Sequence, residues 1–595
     1  MKSQDLVLAI VGSGGEGVAS AGEVLVQAAA NEGIYSMLVR SYGPQIRGGE
    51  TLAQVRLSKN QVRSQGDYLD ALFVLSWANF FRFSGEIFVK EGGMVFYDED
   101  DSPPEQLNLG KNIQLIPVPF ARATKELTGD TRSKNILALG FISGVFNLPD
   151  GGFNQAIRDR FGKKGEEVLE SNFQAFQKGR DLALNSPQHH DWDWTVEEKK
   201  PVLIVTGNDA VSLGSLYAGV KFFSGYPITP ASEIMEWMAR ELPKFDGVFV
   251  QTEDEIAAVT MAIGASFAGA KAMTATSGPG LSLMTEAIGL STMAELPLVI
   301  VNVQRGGPST GIPTKTSQSD LLHAVYGGHG NLPRVVLAPI DSQDAIEIAV
   351  RAFYLSEKYQ VPVIVLTDQF LGQRVEVVPE VDFSQFDRLV VERKWPAEKD
   401  LEDYKRFRLT DDGISPVSAP GIANGMYTAA GIEHDEKGKP TSNAQLHEKM
   451  TEKRRRKLET LLAKEDHLIW EYGDRHAKIG ILTWGSNAGV VREVVDHLRL
   501  QEMRVMAMAP RQLMPLPVKE IQAFVNQVDT LLIVELAEEQ FLTYLKGQLQ
   551  LPEHTRVLKR PGAAPFTVHE ILHALEEENG KWKQETIPQK TFEVI

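Results

Sequence analysis

The 595-residue chain contains no cysteine. That absence excludes a disulfide, a thiolate nucleophile, a cysteine-ligated zinc site and an ordinary iron–sulfur cluster within this polypeptide. Any such redox centre has to belong to another subunit. Long apolar runs are lacking too, and none approaches the roughly 18 residues that a membrane-spanning helix needs. The opening MKSQDLVLAIVGSGGEG passes from one lysine through a strand-length apolar stretch into glycines, without a signal-peptide cleavage pattern. A cytoplasmic protein is the expectation. Positive charge is in deficit, with 61 Lys+Arg against 78 Asp+Glu and a net charge of −17. A field of that sign repels nucleic acid and anionic lipid, so neither is an expected partner.

What is present reads as α/β throughout, in three α/β units, within the three to five domains that ~100–200 residues per domain allow. Residues 1–185 form the first unit. Leu6–Val11 is a buried strand, followed by a glycine-rich turn and an apolar helix from Val18 to Asn31. Further strands lie near Tyr35–Arg40, Ala71–Leu75, Gly93–Tyr97 and Ile113–Pro117, and a helix of small and apolar residues covers Asn135–Val145. The alternation predicts a parallel sheet. Residues 186–200 are polar and aperiodic and read as a linker, in which His189 and His190 are solvated rather than metal ligands. Residues 201–390 restart the alternation, with strands at Val202–Thr206, Gly219–Phe223, Val248–Gln251, Ala270–Thr276, Leu298–Val303, Arg334–Ala338 and Val361–Thr367. Residues 391–475 are a charged insertion or connector. Its basic run, Lys453 to Lys457, is expected to be the solvated face of a helix whose glutamates lie three or four residues away. Residues 476–595 form the third unit, with strands at Ile479–Thr483 and Thr530–Glu535 and a polar tail after Gly580, expected to be frayed or wrapped on a neighbour.

The chemistry-bearing residues cluster at strand ends of the second unit, where doubly wound sheets place ligands. Gly225-Tyr226-Pro227-Ile228-Thr229-Pro230 fixes Thr229 at a strand-to-helix turn, its hydroxyl expected to be held in place. Glu253, Asp254 and Glu255 precede a helix of small residues, where the dipole favours acids. Ser277-Gly278-Pro279-Gly280 is a third turn with free amides. Arg305 follows an aliphatic strand directly, a natural carboxylate clamp. In the first unit, Gly12, Gly14, Gly15 and Gly17 include a G-x-G-x-x-G pattern after a strand. The acid expected at the end of the next strand of a dinucleotide site is replaced by Arg40. Tight strand–helix packing explains the glycines as well as a ligand does.

YPITP, QTEDEIAA, TATSGPG and RGGPSTGIPT, in this order, resemble the α subunit of 2-oxoacid:ferredoxin oxidoreductases, particularly the 2-oxoglutarate type. GSGGEG and YGPQIRGGE resemble that family's γ domain, fused here ahead of α, and residues 428–459 resemble a segment of the 2-oxoglutarate branch. The likeness implies a Rossmann-like γ domain, a pyrimidine-type thiamine diphosphate-binding domain and a transketolase C-terminal-like domain. It implies a glutamate against N1′ of the aminopyrimidine at Glu255, with Glu253 the alternative. Tyr226, Pro227, Ser277 and Gly278 would lie on the thiamine side, Thr229 would touch substrate, and Arg305 would grip the C1 carboxylate. Lys315, His323 or His329 would meet a distal carboxylate. The γ domain is associated with coenzyme A, which could use Gly12, Gly14, Gly15, Gly17 and Arg47.

The family's Gly-Asp-Gly…Asn-Asn motif for diphosphate and Mg²⁺ is missing. The resemblance therefore implies a β subunit carrying the diphosphate–Mg²⁺ site and a [4Fe–4S] cluster, ferredoxin as electron acceptor, and an (αβ)2 heterotetramer. The reaction implied is interconversion of 2-oxoglutarate plus CoA with succinyl-CoA plus CO2. Alternatives are the same machinery on pyruvate or another 2-oxoacid, an NAD(P)-binding dehydrogenase, and a non-catalytic scaffold subunit.

Overall fold

The computed structural model describes residues 5–13, 15–42, 51–78, 80–83, 85–466 and 468–579. The expected tail after Gly580 lies outside them. The strands of the first unit are β1 (Asp5–Gly12), β2 (Tyr35–Tyr42), β3 (Thr51–Ser58), β4 (Leu69–Val74), β5 (Val89–Asp98) and β6 (Gln114–Val118). Then come β7 (Val202–Thr206), β8 (Phe222–Gly225), β9 (Val248–Gln251), β10 (Ala272–Thr276), β11 (Leu298–Gln304), β12 (Val335–Leu337), β13 (Pro362–Asp368) and β14 (Val375–Pro379). The last are β15 (Ile469–Gly473), β16 (Ile479–Leu482), β17 (Val505–Pro510), β18 (Gln512–Met514), β19 (Thr530–Glu535) and β20 (Arg556–Lys559).

These strands build three sheets, ordered β6-β5-β4-β1-β3-β2-β14-β7, β18-β12-β13-β11-β10-β8-β9 and β15-β17-β16-β19-β20. The first is not wholly parallel as the alternation suggested. β3 lies antiparallel between β1 and β2. The connection from Tyr42 to Thr51 is too short for the crossover that a parallel pair requires, so the chain returns antiparallel. Val202–Thr206 is a strand, but it leaves the middle unit: β7 pairs with β14, and β14 with β2, which extends the first sheet. Likewise β18 from the third unit pairs antiparallel with β12 at the edge of the middle sheet. Sheet hydrogen bonding thus ties all three units together.

The helix Val18–Asn31 forms as expected and packs its apolar face on the first sheet. The small-residue helix Lys134–Val145 owes its composition to a close crossing with the helix Glu166–Leu184. A Cβ on Gly140 would lie 1.9 Å from the Phe176 carbonyl oxygen, and one on Gly179 1.9 Å from that of Leu137. The segment 186–200 has no regular structure, yet it is fastened. Trp194 is buried and donates its indole N–H to the Phe146 carbonyl at 2.9 Å, while His190 stacks on Phe146.

The basic run of residues 453–457 corrects the expectation of a solvated face. Lys453, Arg454 and Lys457 on the helix Ala444–Lys464 are buried. Lys453 Nζ donates to both oxygens of buried Glu295 (2.7 and 2.6 Å), and Lys457 Nζ lies 2.6 Å from the same carboxylate. Arg454 makes a bidentate pair with Glu433, at 3.1 and 2.8 Å. Arg455, paired with Glu459 four residues on, is the solvated member. Burial works to raise the Glu295 pKa, but Lys453, Lys457 and Arg406 outweigh it and hold the carboxyl below its usual range. Periodicity could not show this, because the partner glutamates come from elsewhere in the chain.

Removing one member of a buried ion group leaves the others uncompensated. Glu295→Gln is therefore expected to lower the unfolding free energy by about 3–5 kcal/mol, measured by denaturant titration of the chain. Arg455→Gln, on the exposed face, is expected to change it by less than about 0.5 kcal/mol.

Candidate active site

In the middle sheet β9, β8, β10 and β11 are consecutive parallel neighbours. Their carboxyl ends share one edge, so the four segments that follow them meet there. Tyr226–Ala231 follows β8, Thr252–Asp254 follows β9, Ser277 follows β10, and Arg305 follows β11.

Asp254 caps the helix Glu255–Phe267, its carboxylate accepting from the Ala257 amide at 2.7 Å. Glu255 is then the first helical residue, where a carboxylate is favoured by the dipole. It is buried, at 5% exposure, whereas Glu253 is exposed. The Glu255 side chain presses on Gly280: a Cβ there would sit 2.7 Å from both its Cγ and Oε1. Glycine at 280 is what lets the carboxylate reach this spot.

Arg305 is buried as well, at 7% exposure, and its Nη1 donates to the Thr229 carbonyl at 2.6 Å. Its Nε has no hydrogen-bond partner. Burial pushes its pKa down, while Asp320 and Glu255 oppose the shift. The guanidinium thus ties the segment after β11 to the YPITP turn and lies within electrostatic reach of Glu255. Thr229 departs from expectation: it is exposed, and its carbonyl rather than its hydroxyl is engaged. Ser277 Oγ, Thr274 Oγ1 and Asn302 Oδ1 are buried without partners. Unsatisfied buried polar atoms cost free energy. Arg305 Nε and Ser277 Oγ, at neighbouring strand ends, are the unpartnered polar atoms that a carboxylate and a polar heterocycle would satisfy. A thiamine-type cofactor fits this set, since Glu255 faces the cradle at Gly280 and Ser277-Gly278 opens the next turn.

Asp320 was not singled out by its sequence context. It precedes the helix Leu321–Tyr326, and nothing local links it to the TSGPG turn. In the structure a Cβ on Gly278 would lie 3.0 Å from both Asp320 carboxylate oxygens. Asp320 Oδ2 accepts from Asn302 Nδ2 at 2.9 Å, and burial pushes its pKa up against Asn302, His323 and Arg305. Gln318 was also missed. It bonds the Leu536 carbonyl (2.8 Å) and Asn487 (2.8 Å), fixing the loop that carries Asp320 to the third unit.

The three candidates for the distal carboxylate, Lys315, His323 and His329, separate. Lys315 Nζ pairs with Glu86 of the first unit at 2.5 Å, while its backbone carbonyl accepts from the Gly306 amide, beside Arg305, at 2.9 Å. His329 is exposed on a loop. His323 lies beside Asp320, with Nε2 3.4 Å from Thr285 Oγ1. Tyr226, Ile256, Met261 and Leu283, on the elements that carry the site, expose apolar side chains.

In the first unit, Gly17 adopts φ +71° and a Cβ on it would strike Asn135 Nδ2 at 2.6 Å. The Ser13 amide donates to Glu16 at 2.7 Å, and Glu16 pairs with Lys134 at 2.6 Å. Glu16 thus holds an amide of the glycine turn, Gly12 packs on it, and Gly15 is open. Arg40 pairs with Glu23 at 2.8 Å. Gly14 and Arg47 lie outside the described residues. A cleft lined by Arg40, Ser41, Glu86, Lys315 and Arg560 among others opens where the three units meet. Among the described residues no group of three or more His, Cys, Asp or Glu is placed to hold a metal, and no helix is long and apolar enough to cross a membrane.

Overpacking a filled site typically costs about 1–3 kcal/mol. Gly280→Ala is expected to destabilise the chain by that amount. Gly264→Ala, where a Cβ meets nothing on the exposed helix face, is expected to stabilise it by up to about 1 kcal/mol. Thermal denaturation of the two variants checks both signs.

Three family models match in series. They are Pyruvate ferredoxin/flavodoxin oxidoreductase over residues 7–182, Pyruvate flavodoxin/ferredoxin oxidoreductase, thiamine diP-bdg, over 213–453, and Pyruvate:ferredoxin oxidoreductase core domain II over 477–571. The 2-oxoglutarate synthase subunit KorA of Methanocaldococcus jannaschii is 40% identical over 299 residues, covering 50% of this chain and 79% of its own. The 2-oxoglutarate:ferredoxin oxidoreductase of Magnetococcus marinus, solved with 2-oxoglutarate, coenzyme A and succinyl-CoA bound, superposes with a TM-score of 0.91 at 38% identity, over 96% of this chain and 99% of that one. The 2-oxoacid:ferredoxin oxidoreductase subunit alpha of a Sulfolobus species is 32% identical over 563 residues, 85% of this chain and 87% of its own. Likeness of that extent places the chain among the thiamine diphosphate-dependent 2-oxoacid:ferredoxin oxidoreductases, as an α subunit.

Proposed function

We propose that the chain is the α subunit, with a fused γ domain, of a 2-oxoglutarate:ferredoxin oxidoreductase. The reaction is 2-oxoglutarate + CoA + two oxidised ferredoxins ⇌ succinyl-CoA + CO2 + two reduced ferredoxins + H⁺. The observation that carries the reading is the buried Glu255 carboxylate sharing one pocket with the Arg305 guanidinium. The KorA and Magnetococcus relatives support 2-oxoglutarate as the substrate.

Thiamine diphosphate, when bound, supplies the carbanion-stabilising chemistry that cleaves the C1–C2 bond. Glu255 holds a proton at N1′ of the aminopyrimidine, in a position Glu253 does not share. Tyr226 and Pro227 line the ring's side of the pocket, and Ser277 Oγ and the Gly278 backbone supply its remaining polar contacts. Arg305 grips the C1 carboxylate through charge-assisted hydrogen bonds. The exposed Thr229 hydroxyl contacts the substrate beside it. Of the three candidates, His323 meets the distal carboxylate, because Lys315 is paired with Glu86 and His329 stands out on its loop.

A β partner supplies the diphosphate–Mg²⁺ site and the [4Fe–4S] cluster that passes electrons to ferredoxin. The exposed apolar face of Tyr226, Ile256, Met261 and Leu283 is where it docks, within a cytoplasmic (αβ)2 heterotetramer. CoA reaches the pocket through the cleft between the units, whose wall carries Arg40, Lys315 and Arg560. The Gly12–Gly17 turn and Arg47 lie in the same first unit.

The test is turnover of a panel of 2-oxoacids by the assembled complex, with a viologen acceptor. The expected result is the highest kcat/KM for 2-oxoglutarate; preference for pyruvate would move the chain to the pyruvate reading. Glu255→Gln is expected to lower kcat by about 10²-fold or more, the range for loss of a positioned acid–base group. Unchanged turnover would mark the chain as a scaffold.

A further inference from the structure

Between Arg305 and the helix Leu321–Tyr326 the chain forms a loop that touches both of the other units. Its first half is braced on itself. The Gly306 amide donates to the Lys315 carbonyl at 2.9 Å, the Ile312 amide to the Gly306 carbonyl at 2.8 Å, and the Lys315 amide to the Ile312 carbonyl at 3.1 Å. Gly311, at φ +60°, permits this closure, since a Cβ there would lie 1.7 Å from the Gly306 carbonyl oxygen. Gly306 adjoins Arg305 in the chain, so a displacement of Lys315 passes through one hydrogen bond to the root of the guanidinium side chain. The other flank of Arg305 is fixed separately. Gln304 is buried, accepts from the Asp320 amide at 3.0 Å and donates to the Thr367 carbonyl at 2.9 Å.

What fixes the Lys315 side chain lies in another unit. Among the described residues its Nζ bonds only to the first unit, to Glu86 Oε1 at 2.5 Å and, more weakly, to Ser41 Oγ at 3.4 Å. Ser41 in turn donates to the second Glu86 oxygen at 2.5 Å. The ion pair is partly buried, with the Lys315 side chain 22% and that of Glu86 30% exposed, so salt screens it less than a surface pair. Farther along, the loop is fastened to the third unit instead. The Ala563 amide donates to the Thr316 carbonyl at 2.8 Å, and the Gln318 amide to the Leu536 carbonyl at 2.8 Å. Those bonds do not involve the Lys315 side chain, so it can be replaced without detaching the loop.

We propose that Lys315 is a positioning residue: its ion pair with Glu86 holds the Gly306–Lys315 loop where Arg305 is aimed at the C1 carboxylate of a 2-oxoacid. The lysine does not meet the substrate itself. Through it the first unit sets the affinity of the middle unit's pocket for 2-oxoacids. This rests on the reading of Arg305 as the carboxylate clamp.

The experiment measures, in the assembled holoenzyme, the 2-oxoglutarate concentration that half-saturates CO2 release in a single turnover with CoA left out, so that CoA contacts in the cleft do not enter. Lys315→Met and Glu86→Gln are each expected to raise it about five- to tenfold, below the roughly 10²-fold that a misplacement of about 1 Å can cost, with a smaller change in the maximal rate. The double variant is expected to match either single one, because all three remove the same interaction. Lys315→Arg, which keeps the charge and the reach, is expected to restore the wild-type value. A rise in Lys315→Met with none in Glu86→Gln would mean that the lysine meets the substrate directly, and would overturn the proposal. So would additive effects, or no effect in either variant. Should Lys315→Met not fold, an unchanged half-saturation in Glu86→Gln overturns the proposal by itself. Arg305→Gln separates the two readings. If it leaves the half-saturation unchanged, the clamp reading fails and this inference with it; if it raises the value and the Lys315 and Glu86 variants do not, this inference alone fails.

Discussion

The pocket depends on a charge balance at the carboxyl edge of one sheet. A single buried guanidinium, Arg305, is bonded to the Thr229 carbonyl and lies within electrostatic reach of the Glu255 and Asp320 carboxylates. Each of these residues follows or approaches a different strand end, and each is held by something ordinary: an Asp254 cap, a glycine too small to obstruct, an amide from Asn302. Without the guanidinium, the buried Glu255 carboxylate would lose a nearby positive charge. Without the carboxylates, a buried cation would lack compensation. The arrangement leaves an unpartnered Nε and several unpartnered hydroxyl and amide oxygens, the condition of a pocket completed by what it binds.

The three units hold this pocket in register through backbone pairing as well as side chains. β14 and β7 carry the first sheet into the middle unit, and β18 carries the third unit onto the middle sheet. Glu493 of the third unit accepts from Arg56 Nη1, the Arg63 and Ser64 amides and Ser64 Oγ, all of the first unit, at 2.8–3.1 Å. Asp67 caps the start of the C-terminal helix Val568–Asn579 through the Val568 and His569 amides. Gln318 links the loop leading to Asp320 with the third unit. A shift of the first or third unit is thereby felt at the pocket's rim.

The charged connector makes the same point in reverse. A run of five basic residues with glutamates at helical spacing has the pattern of a solvated face. Arg455 and Glu459 behave that way. Lys453, Arg454 and Lys457 instead answer Glu295 and Glu433, which periodicity along one helix cannot reveal. The burial of three cations in one helix is set by the shape of the surface they dock on.

The sequence by itself determined the α/β alternation, nearly every strand it marked to within a few residues, and the four strand-end motifs. Those are local properties, written in apolar runs and in turn residues. It also determined, through the absence of cysteine, that no iron–sulfur cluster of ordinary ligation sits in this chain. Only the tertiary structure decided that β3 runs antiparallel, that β7 belongs to the first sheet, that Lys315 pairs with Glu86 and that Asp320 lies against Gly278. Strand direction, sheet membership and ion pairing depend on which distant segments meet. That is fixed by the burial of whole faces, not by neighbours in the chain.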